Sequence, residues 1–191
     1  MKKLRIFTLI LAFVMVFSLA ACGENKDDTD AGKDRDNTAS NQEPDAADPQ
    51  DELADYDTGA GLKLKMAEGM TKDTYEAATA VYTSENYTMS ALKETFDEAA
   101  EMGYETENFA VEEYTALMAE TYTEIDAFGE DSYGNNYAAY VKDTSDGDFF
   151  YFCTVRKGTD AFWIVNFMCL ESDRDTYQPL FELWSSTIEV E

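Results

Sequence analysis

Two adjacent segments late in the chain are apolar at almost every position, and they restrict the fold more than any other feature. The first, residues 149–155, reads FFYFCTV, and the second, residues 162–170, reads FWIVNFMCL. Residues 157–160, Lys-Gly-Thr-Asp, lie between them and have the composition of a hairpin turn. A strand with one solvated face alternates apolar and polar side chains, and these segments do not alternate. They therefore predict two central strands of a sheet that is covered on both faces.

Shorter patterns before this hairpin predict further strands. Residues 61–66, Gly-Leu-Lys-Leu-Lys-Met, alternate apolar and polar side chains, as a half-buried strand does. Residues 76–83 and 87–94 predict two strands around a turn at residues 84–86, followed by a short helical turn that ends at Gly103. Residues 137–142 predict another strand.

Two segments have helical spacing. The apolar positions of the first helix are Val111, Tyr114, Leu117, Met118 and Thr121, and those of the second are Tyr177, Leu180, Phe181, Trp184 and Ile188. Because Pro179 is best tolerated in a first turn, the second helix is predicted to begin near Thr176. The order of elements predicts the α+β class, with a mainly antiparallel β-sheet flanked by helices.

The first 23 residues have the organisation of an export signal. Lys2, Lys3 and Arg5 precede an apolar run from Ile6 to Leu19, which at 1.5 Å per residue spans about 21 Å and is shorter than a bilayer core. The run ends in Leu19-Ala20-Ala21-Cys22-Gly23, which resembles the bacterial lipobox. The resemblance implies a lipoprotein signal peptide over 1–21, acylation of Cys22 and an anchor on the outer face of the cytoplasmic membrane. The alternative is an ordinary signal peptide with a chance cysteine.

The composition changes sharply after residue 59. Residues 23–59 contain 13 acidic and 3 basic side chains, with Leu53 and Tyr56 as the sizeable apolar ones, so 22–59 is predicted to be a lipidated cysteine followed by a disordered acidic tether. Residues 60–191 contain 27 acidic and 8 basic side chains and most of the aromatic ones. They are predicted to form a single α+β domain.

Charge and the absence of histidine exclude several classes of function. The whole chain has a formal net charge of −26, and such an acidic chain repels nucleic acid. With no His it cannot build a Ser-His-Asp or Cys-His centre or an imidazole metal site. We therefore expect a protein that is not an enzyme and has no nucleic-acid partner.

The two cysteines of the predicted domain, Cys153 and Cys169, are expected to be buried free thiols. If the hairpin turn centres between Gly158 and Thr159, Val155 lies opposite Phe162 and Cys153 lies opposite Ile164. Cys169 then lies five residues further along, about 16 Å away at 3.3 Å per residue. A disulfide requires Cα atoms within about 7 Å.

The element order over residues 60–191 resembles small bacterial lipoproteins of the PsbP/MOG1-like fold. The resemblance consists of Gly61-Leu62-Lys63-Leu64, then Val111-Glu112-Glu113-Tyr114, the aromatic hairpin, and a closing helix that runs into Ser185-Ser186-Thr187-Ile188. It implies an antiparallel sheet between helices and a role in scaffolding or assembly without catalysis. The chain departs from the pattern at residues 66–70, which lack a Pro, and at Ala110, where a Ser or Thr helix cap is expected.

Two groups of residues are candidate sites. Acidic and tyrosine side chains concentrate between residues 120 and 140, and exposed tyrosines beside polar groups are typical of contact surfaces. The proposed binding face consists of Glu120, Tyr122, Glu124, Asp126, Tyr133, Tyr137 and Tyr140. Residues 143–148 form an acid-rich turn without the spacing of a calcium loop, and its weak metal candidates are Asp143, Asp146 and Asp148.

The sequence thus predicts an exported, lipid-anchored domain that binds or helps to assemble another component of the cell envelope. We expect two partners: the membrane, through the lipid on Cys22, and an envelope protein. No cofactor is expected. The alternative function is a surface domain that binds a divalent cation, with calcium favoured because all the available ligands are oxygens.

Overall fold

The computed structural model describes residues 53–101, 103, 105–119, 125–145 and 147–191. The predicted signal peptide, Cys22 and the predicted tether up to residue 52 lie outside the described residues. The strands are β1 Leu53–Asp57, β2 Leu62–Ala67, β3 Thr71–Asp73, β4 Ala80–Thr83, β5 Tyr87–Thr95, β6 Ile125–Glu130, β7 Asn136–Thr144, β8 Gly147–Lys157, β9 Ala161–Leu170 and β10 Glu189–Val190. The helices are α1 Phe96–Glu101, α2 Val111–Ala119 and α3 Arg174–Ser186, with short 3-10 helices at Thr106–Asn108 and Glu171–Asp173.

The strands form two antiparallel sheets, which confirms the predicted α+β class. The large sheet has the order β3-β4-β5-β9-β8-β7-β6, and the small sheet has the order β1-β2-β10. The apolar hairpin, β8 and β9, lies in the middle of the large sheet, as its lack of a polar face predicted. Within the described ranges, no helix is long and apolar enough to cross a bilayer.

Each face of the large sheet has its own core. On one face, α3 and the inner side of β2 pack over the sheet around Phe167, Phe181 and Trp184, and all three side chains are buried. On the other face, α1 and α2 pack near one end of the hairpin, where the ring of Tyr114 stacks on Phe162 at a centroid distance of 4.1 Å. We refer to this second side as the helix α2 face. The two cores explain why β8 and β9 are apolar on both sides.

The hairpin register differs from the predicted one by two residues. Val155 lies opposite Ile164, and Cys153 lies opposite Asn166. The prediction centred the turn between Gly158 and Thr159, whereas the pairing of Lys157 with Phe162 centres it between Thr159 and Asp160. Moving the centre by one residue shifts every pair by two. The Gly158 N–H donates to the Ala161 carbonyl at 2.8 Å and closes the loop. Cys153 and Cys169 are both free and buried, as predicted.

The folded domain begins before the predicted boundary at residue 60. Strand β1 lies inside the segment that was expected to be a disordered tether, and it pairs antiparallel with β2. Its Tyr56 ring packs edge-on against Tyr82 at 5.1 Å, and the Tyr56 hydroxyl donates to the Ala67 carbonyl at 2.8 Å. Pairing with β2 and the packing of Leu53 and Tyr56 against the core together hold this acidic segment on the domain.

Other element boundaries also differ from the predictions. The strand expected at residues 76–83 is shortened to β4, and β3 was missed. Helix α3 begins at Arg174 rather than near Thr176, so Pro179 lies inside the helix instead of in its first turn. Helix α2 has no Ser or Thr cap, but the Glu113 carboxylate accepts the Ala110 N–H at 2.8 Å and supplies half of a capping box.

Candidate binding site at the β6 edge

Strand β6 forms one edge of the large sheet. It pairs with β7 on its inner side, and within the described ranges no strand pairs with its outer side. The opposite edge, β3, has three residues, Thr71, Lys72 and Asp73, all exposed. Short charged edges of that kind resist further pairing. β6 has six residues, and its pairing with β7 is regular from Ala127 to Glu130, after a shift in register between Ile125 and Ala127.

Exposed aromatic side chains are concentrated in the β6–β7 hairpin. Phe128 on β6 is 50% exposed, and Tyr133 in the connecting turn is 53% exposed. Among the described residues, Leu170 is the one other large apolar side chain in this class, at 41% exposed. An exposed aromatic ring on an open strand edge is typical of a surface that receives another chain.

The turn that carries Tyr133 is held by the carboxylate of Asp131. One carboxylate oxygen accepts the N–H groups of Tyr133 and Asn135 at 2.9 and 2.8 Å, and the Asn135 side-chain amide adds a further hydrogen bond at 3.1 Å. Gly134 has a φ of 79°, a left-handed conformation that glycine adopts without strain. These contacts fix the backbone from which Tyr133 projects into solvent.

Helix α3 anchors the same turn to the core. The Ser185 hydroxyl donates to Asp131 Oδ2 at 3.0 Å, and the Ser132 hydroxyl donates to Glu182 Oε2 at 2.8 Å. Arg156 donates to the Ser185 carbonyl at 2.7 Å near the helix C-terminus. Burial lowers the pKa of the Arg156 guanidinium, and the charge of Asp131 acts in the opposite direction. The edge therefore projects from a connected polar network.

The structure separates the tyrosines of the predicted binding face. Tyr133 is exposed, whereas Tyr137 is half-buried and its ring stacks on Phe152 at 5.0 Å. Tyr140 is 4% exposed and stacks on Tyr151, so its assignment to an exposed face was wrong. Tyr137 and Tyr140 are three residues apart on one strand, and alternation places them on opposite faces of the sheet.

Four members of the predicted face, three acidic residues and one tyrosine, lie wholly or with their side chains outside the described residues. Glu120, Tyr122 and Glu124 lie outside the described residues. Asp126 belongs to β6, and its side chain is not among those described. Phe128 was missed because the predicted binding face between residues 120 and 140 was drawn from its acidic and tyrosine side chains alone. The apolar residues Ile125, Ala127 and Phe128 between the acids were the available signal for a strand.

The acid-rich segment 143–148 connects β7 and β8. Thr144 pairs with Gly147, and Asp143 lies directly opposite Asp148. Asp146 lies outside the described residues. Within the ranges that the structure covers, no group of three or more His, Cys, Asp or Glu side chains could hold a metal ion. Calcium binding stays a prediction.

The basic side chains of the described domain already have internal contacts. Arg174 pairs with Glu171, and Lys93 pairs with Asp160. Lys157 donates to the carbonyls of Glu107 and Phe109. The excess charge on the surface is therefore negative, and at moderate ionic strength it favours the approach of a basic partner.

These features define the class of the described part of the chain: an α+β domain with a central antiparallel sheet and one open edge. The chain is similar in structure to the cyanobacterial PsbP protein (CyanoP) of Synechocystis sp. PCC 6803, with 15% sequence identity and a TM-score of 0.43. The similarity covers 73% of this chain and 93% of that chain. No family model matches the chain, and no curated protein matches its sequence.

Proposed function

We propose that this protein is a lipid-anchored, extracytoplasmic and non-enzymatic binding module. It holds an extended segment of an envelope protein along the outer edge of β6. The observation that carries the proposal is the open β6 edge beside the half-exposed ring of Phe128. The anchor is the lipid on Cys22, which the resemblance of residues 19–23 to a lipobox supports.

Strand addition supplies both affinity and specificity at such an edge. The backbone N–H and C=O groups of β6 that do not bond to β7 can pair with the backbone of an incoming strand. The side chains of that incoming strand at alternate positions then contact the ring of Phe128. The Asp131 network holds the neighbouring turn, which lowers the conformational entropy lost on binding.

Charge restricts the partner to a basic segment. Residues 60–191 carry 27 acidic and 8 basic side chains, and Glu130 at the end of β6 is exposed. A basic partner is steered toward this surface, and its association rate falls as salt is added. We therefore infer an extended partner segment that contains Lys or Arg together with an apolar residue that packs on Phe128.

The test is photo-crosslinking in the cells that produce the protein. A benzophenone amino acid replaces Phe128 in the full chain, and a matched chain carries it at Leu170, an exposed apolar position on β9. We expect discrete adducts from position 128 that are weaker from position 170. A second copy of the protein without the benzophenone should compete for the partner and reduce the adduct. A competitor that carries Phe128→Arg should no longer reduce it, whereas a competitor that carries Leu170→Arg should still do so.

Equal adducts from the two positions would contradict the proposal. So would a partner whose crosslinked segment is acidic, because charge complementarity would then be absent. Increasing the salt concentration from 50 to 500 mM, a range over which the Debye length falls from about 14 to about 4 Å, should reduce adduct formation.

A further inference from the structure

The regular part of β6 directs the backbone groups of two residues outward. The Asp131 N–H donates to the Asn135 carbonyl at 2.9 Å, so the backbone of Asp131 faces the β7 side. Successive residues of an antiparallel pair alternate between facing the neighbouring strand and facing away from it. Gly129 therefore faces β7, whereas the N–H and C=O groups of Phe128 and Glu130 face away from it.

The neighbouring strand supports this assignment. Asn136 pairs with Glu130, and its carbonyl oxygen accepts the Thr154 hydroxyl of β8 at 2.9 Å. A carbonyl that faces β8 is turned away from β6, so Glu130 and Asn136 form a non-hydrogen-bonded pair. Within the ranges that the structure covers, no strand pairs with the outward groups of Phe128 and Glu130.

The same two residues have exposed side chains on one face of the sheet. Phe128 is 50% exposed, and Glu130, two residues later, is exposed as well. Gly129 lies between them, and alternation directs its Cβ position to the opposite face. Among the described residues, an added Cβ there would meet no atom within 4 Å. An incoming strand therefore meets an aromatic ring and a carboxylate on one face and open space on the other.

Two features limit the recognised segment to a few residues. At the start of β6 the register shifts between Ile125 and Ala127, and irregularities of this kind terminate edge pairing. At its end the chain turns towards β7 from Asp131 onward. Regular pairing on the outer side therefore uses the two N–H and two C=O groups of Phe128 and Glu130.

The hydrogen-bond geometry of such a short edge favours an antiparallel partner. In antiparallel pairing, both groups of Phe128 bond to one residue of the incoming strand, and both groups of Glu130 bond to the residue two positions earlier. In parallel pairing, the same four bonds extend over about five residues of the partner instead of about three. Ordering the additional residues costs conformational entropy without adding a bond.

We propose that the partner strand adds antiparallel to β6 and carries, from its N-terminus, Lys or Arg, one residue of any kind, and an aromatic or large aliphatic residue. This inference rests on the proposed function and specifies its partner. Residues directly opposite in an antiparallel pair share a face, so the basic side chain lies beside Glu130 and the apolar one packs on Phe128. The middle residue lies on the open face at Gly129. A second copy of the chain would instead place one acidic surface against another.

The test uses two peptides of identical composition and opposite order, with acetylated and amidated ends. One is Thr-Thr-Lys-Thr-Phe-Thr-Thr, and the other is Thr-Thr-Phe-Thr-Lys-Thr-Thr. Each is titrated into the ¹⁵N-labelled chain, purified from the cells that produce it. We expect the Lys-Thr-Phe order to shift the backbone amide signals of Phe128 and Glu130, and to slow their hydrogen exchange, at a concentration at least tenfold lower than the reverse order.

A charge reversal at Glu130 tests the register. In Glu130→Lys, the Lys-Thr-Phe peptide should bind at least tenfold more weakly, and a third peptide with Glu in place of its Lys should bind more tightly. The matched control is Glu68→Lys, which makes the same change at an exposed carboxylate after β2 and should keep the original preference. An unchanged preference in Glu130→Lys would overturn the register.

The free chain provides an independent check of the edge. We expect the amide hydrogens of Phe128 and Glu130 to exchange faster than that of Gly129, which bonds to β7 in this register. Slow exchange of the two outward amides in the free chain would contradict the assignment. If that exchange became fast on dilution, the occupant of the edge would be a second copy of the chain, and the proposed partner would be wrong.

The outcomes distinguish this inference from the proposed function. Equal affinity for the two orders, or a preference for the reverse order, would overturn the antiparallel partner while binding at the edge stood. Failure of every peptide to shift the β6 amides at millimolar concentration would also overturn this inference. The proposed function would fail with it only if position 128 gave no specific adduct in cells.

Discussion

Replacing Gly158 by alanine should detach the end of the chain from the domain. The Thr159 N–H donates to the Glu191 carbonyl at 3.0 Å, and the Glu191 N–H donates to the Gly61 carbonyl at 3.0 Å. A Cβ on Gly158 would overlap that same Glu191 carbonyl oxygen. Gly158 is not among the glycines with positive φ, so alanine brings no backbone strain of its own. The cost therefore arises from the displacement of Glu191.

The magnitude follows from the contacts that are lost. Two backbone hydrogen bonds at about 0.5–1.5 kcal/mol each give a loss of about 1–3 kcal/mol. Alanine returns about 0.4–1 kcal/mol by restricting the unfolded chain. The free energy of unfolding of Gly158→Ala, measured with urea, should therefore fall by up to about 2.6 kcal/mol, with a middle value of about 1.3 kcal/mol. Gly129→Ala is the matched control, because a Cβ there meets nothing within 4 Å and the φ of Gly129 is not positive either.

A chain that ends at Val190 tests the reasoning directly. Without Glu191, the Cβ of the introduced alanine has lost its obstacle, and Gly158→Ala should become neutral or stabilising by up to about 1 kcal/mol. If Gly158→Ala destabilises the shortened chain as much as the full one, the clash with Glu191 is not the cause and the reasoning fails.

Three further predictions concern buried polar groups. Burial raises the pKa of the Glu94 carboxyl above 4.5; the hydrogen bond from the Tyr114 hydroxyl opposes this shift, and the charge of Glu98 adds to it. The folded state therefore binds the proton more tightly than the unfolded state. As a result, the free energy of unfolding falls as the pH rises from about 4.5 through the raised pKa. Glu94→Gln should therefore raise the free energy of unfolding more at pH 7 than at pH 4.5, and an equal change at both pH values would contradict the assignment. Burial also raises the pKa of Cys153 and Cys169 to about 12, so maleimide at pH 7 should label both in urea and neither in the native protein, as peptide mass spectrometry would show. Arg156→Met removes the hydrogen bonds to the Ser185 carbonyl and Thr154 Oγ1, so the free energy of unfolding measured with urea should fall by about 1.5–3 kcal/mol. The control is Lys65→Met, which should lower it by at most about 1 kcal/mol because the pair of Lys65 with Asp55 is exposed and spans 3.8 Å.

The position of the apolar hairpin in the sheet was predictable from its composition alone. Strands that are apolar on both faces belong at the centre of a sheet, and β8 and β9 lie there. Register is less predictable because it depends on which residues lie at the centre of the turn. The turn is centred between Thr159 and Asp160, one residue later than predicted, so every pair of the hairpin is shifted by two residues.

Elements with acidic sequences were missed for a different reason. The apolar side chains of β1 and β6 do not alternate regularly with the acidic ones, and each strand pairs with one neighbouring strand. Such pairing depends on residues distant in the sequence or across a turn, and it leaves no local periodicity.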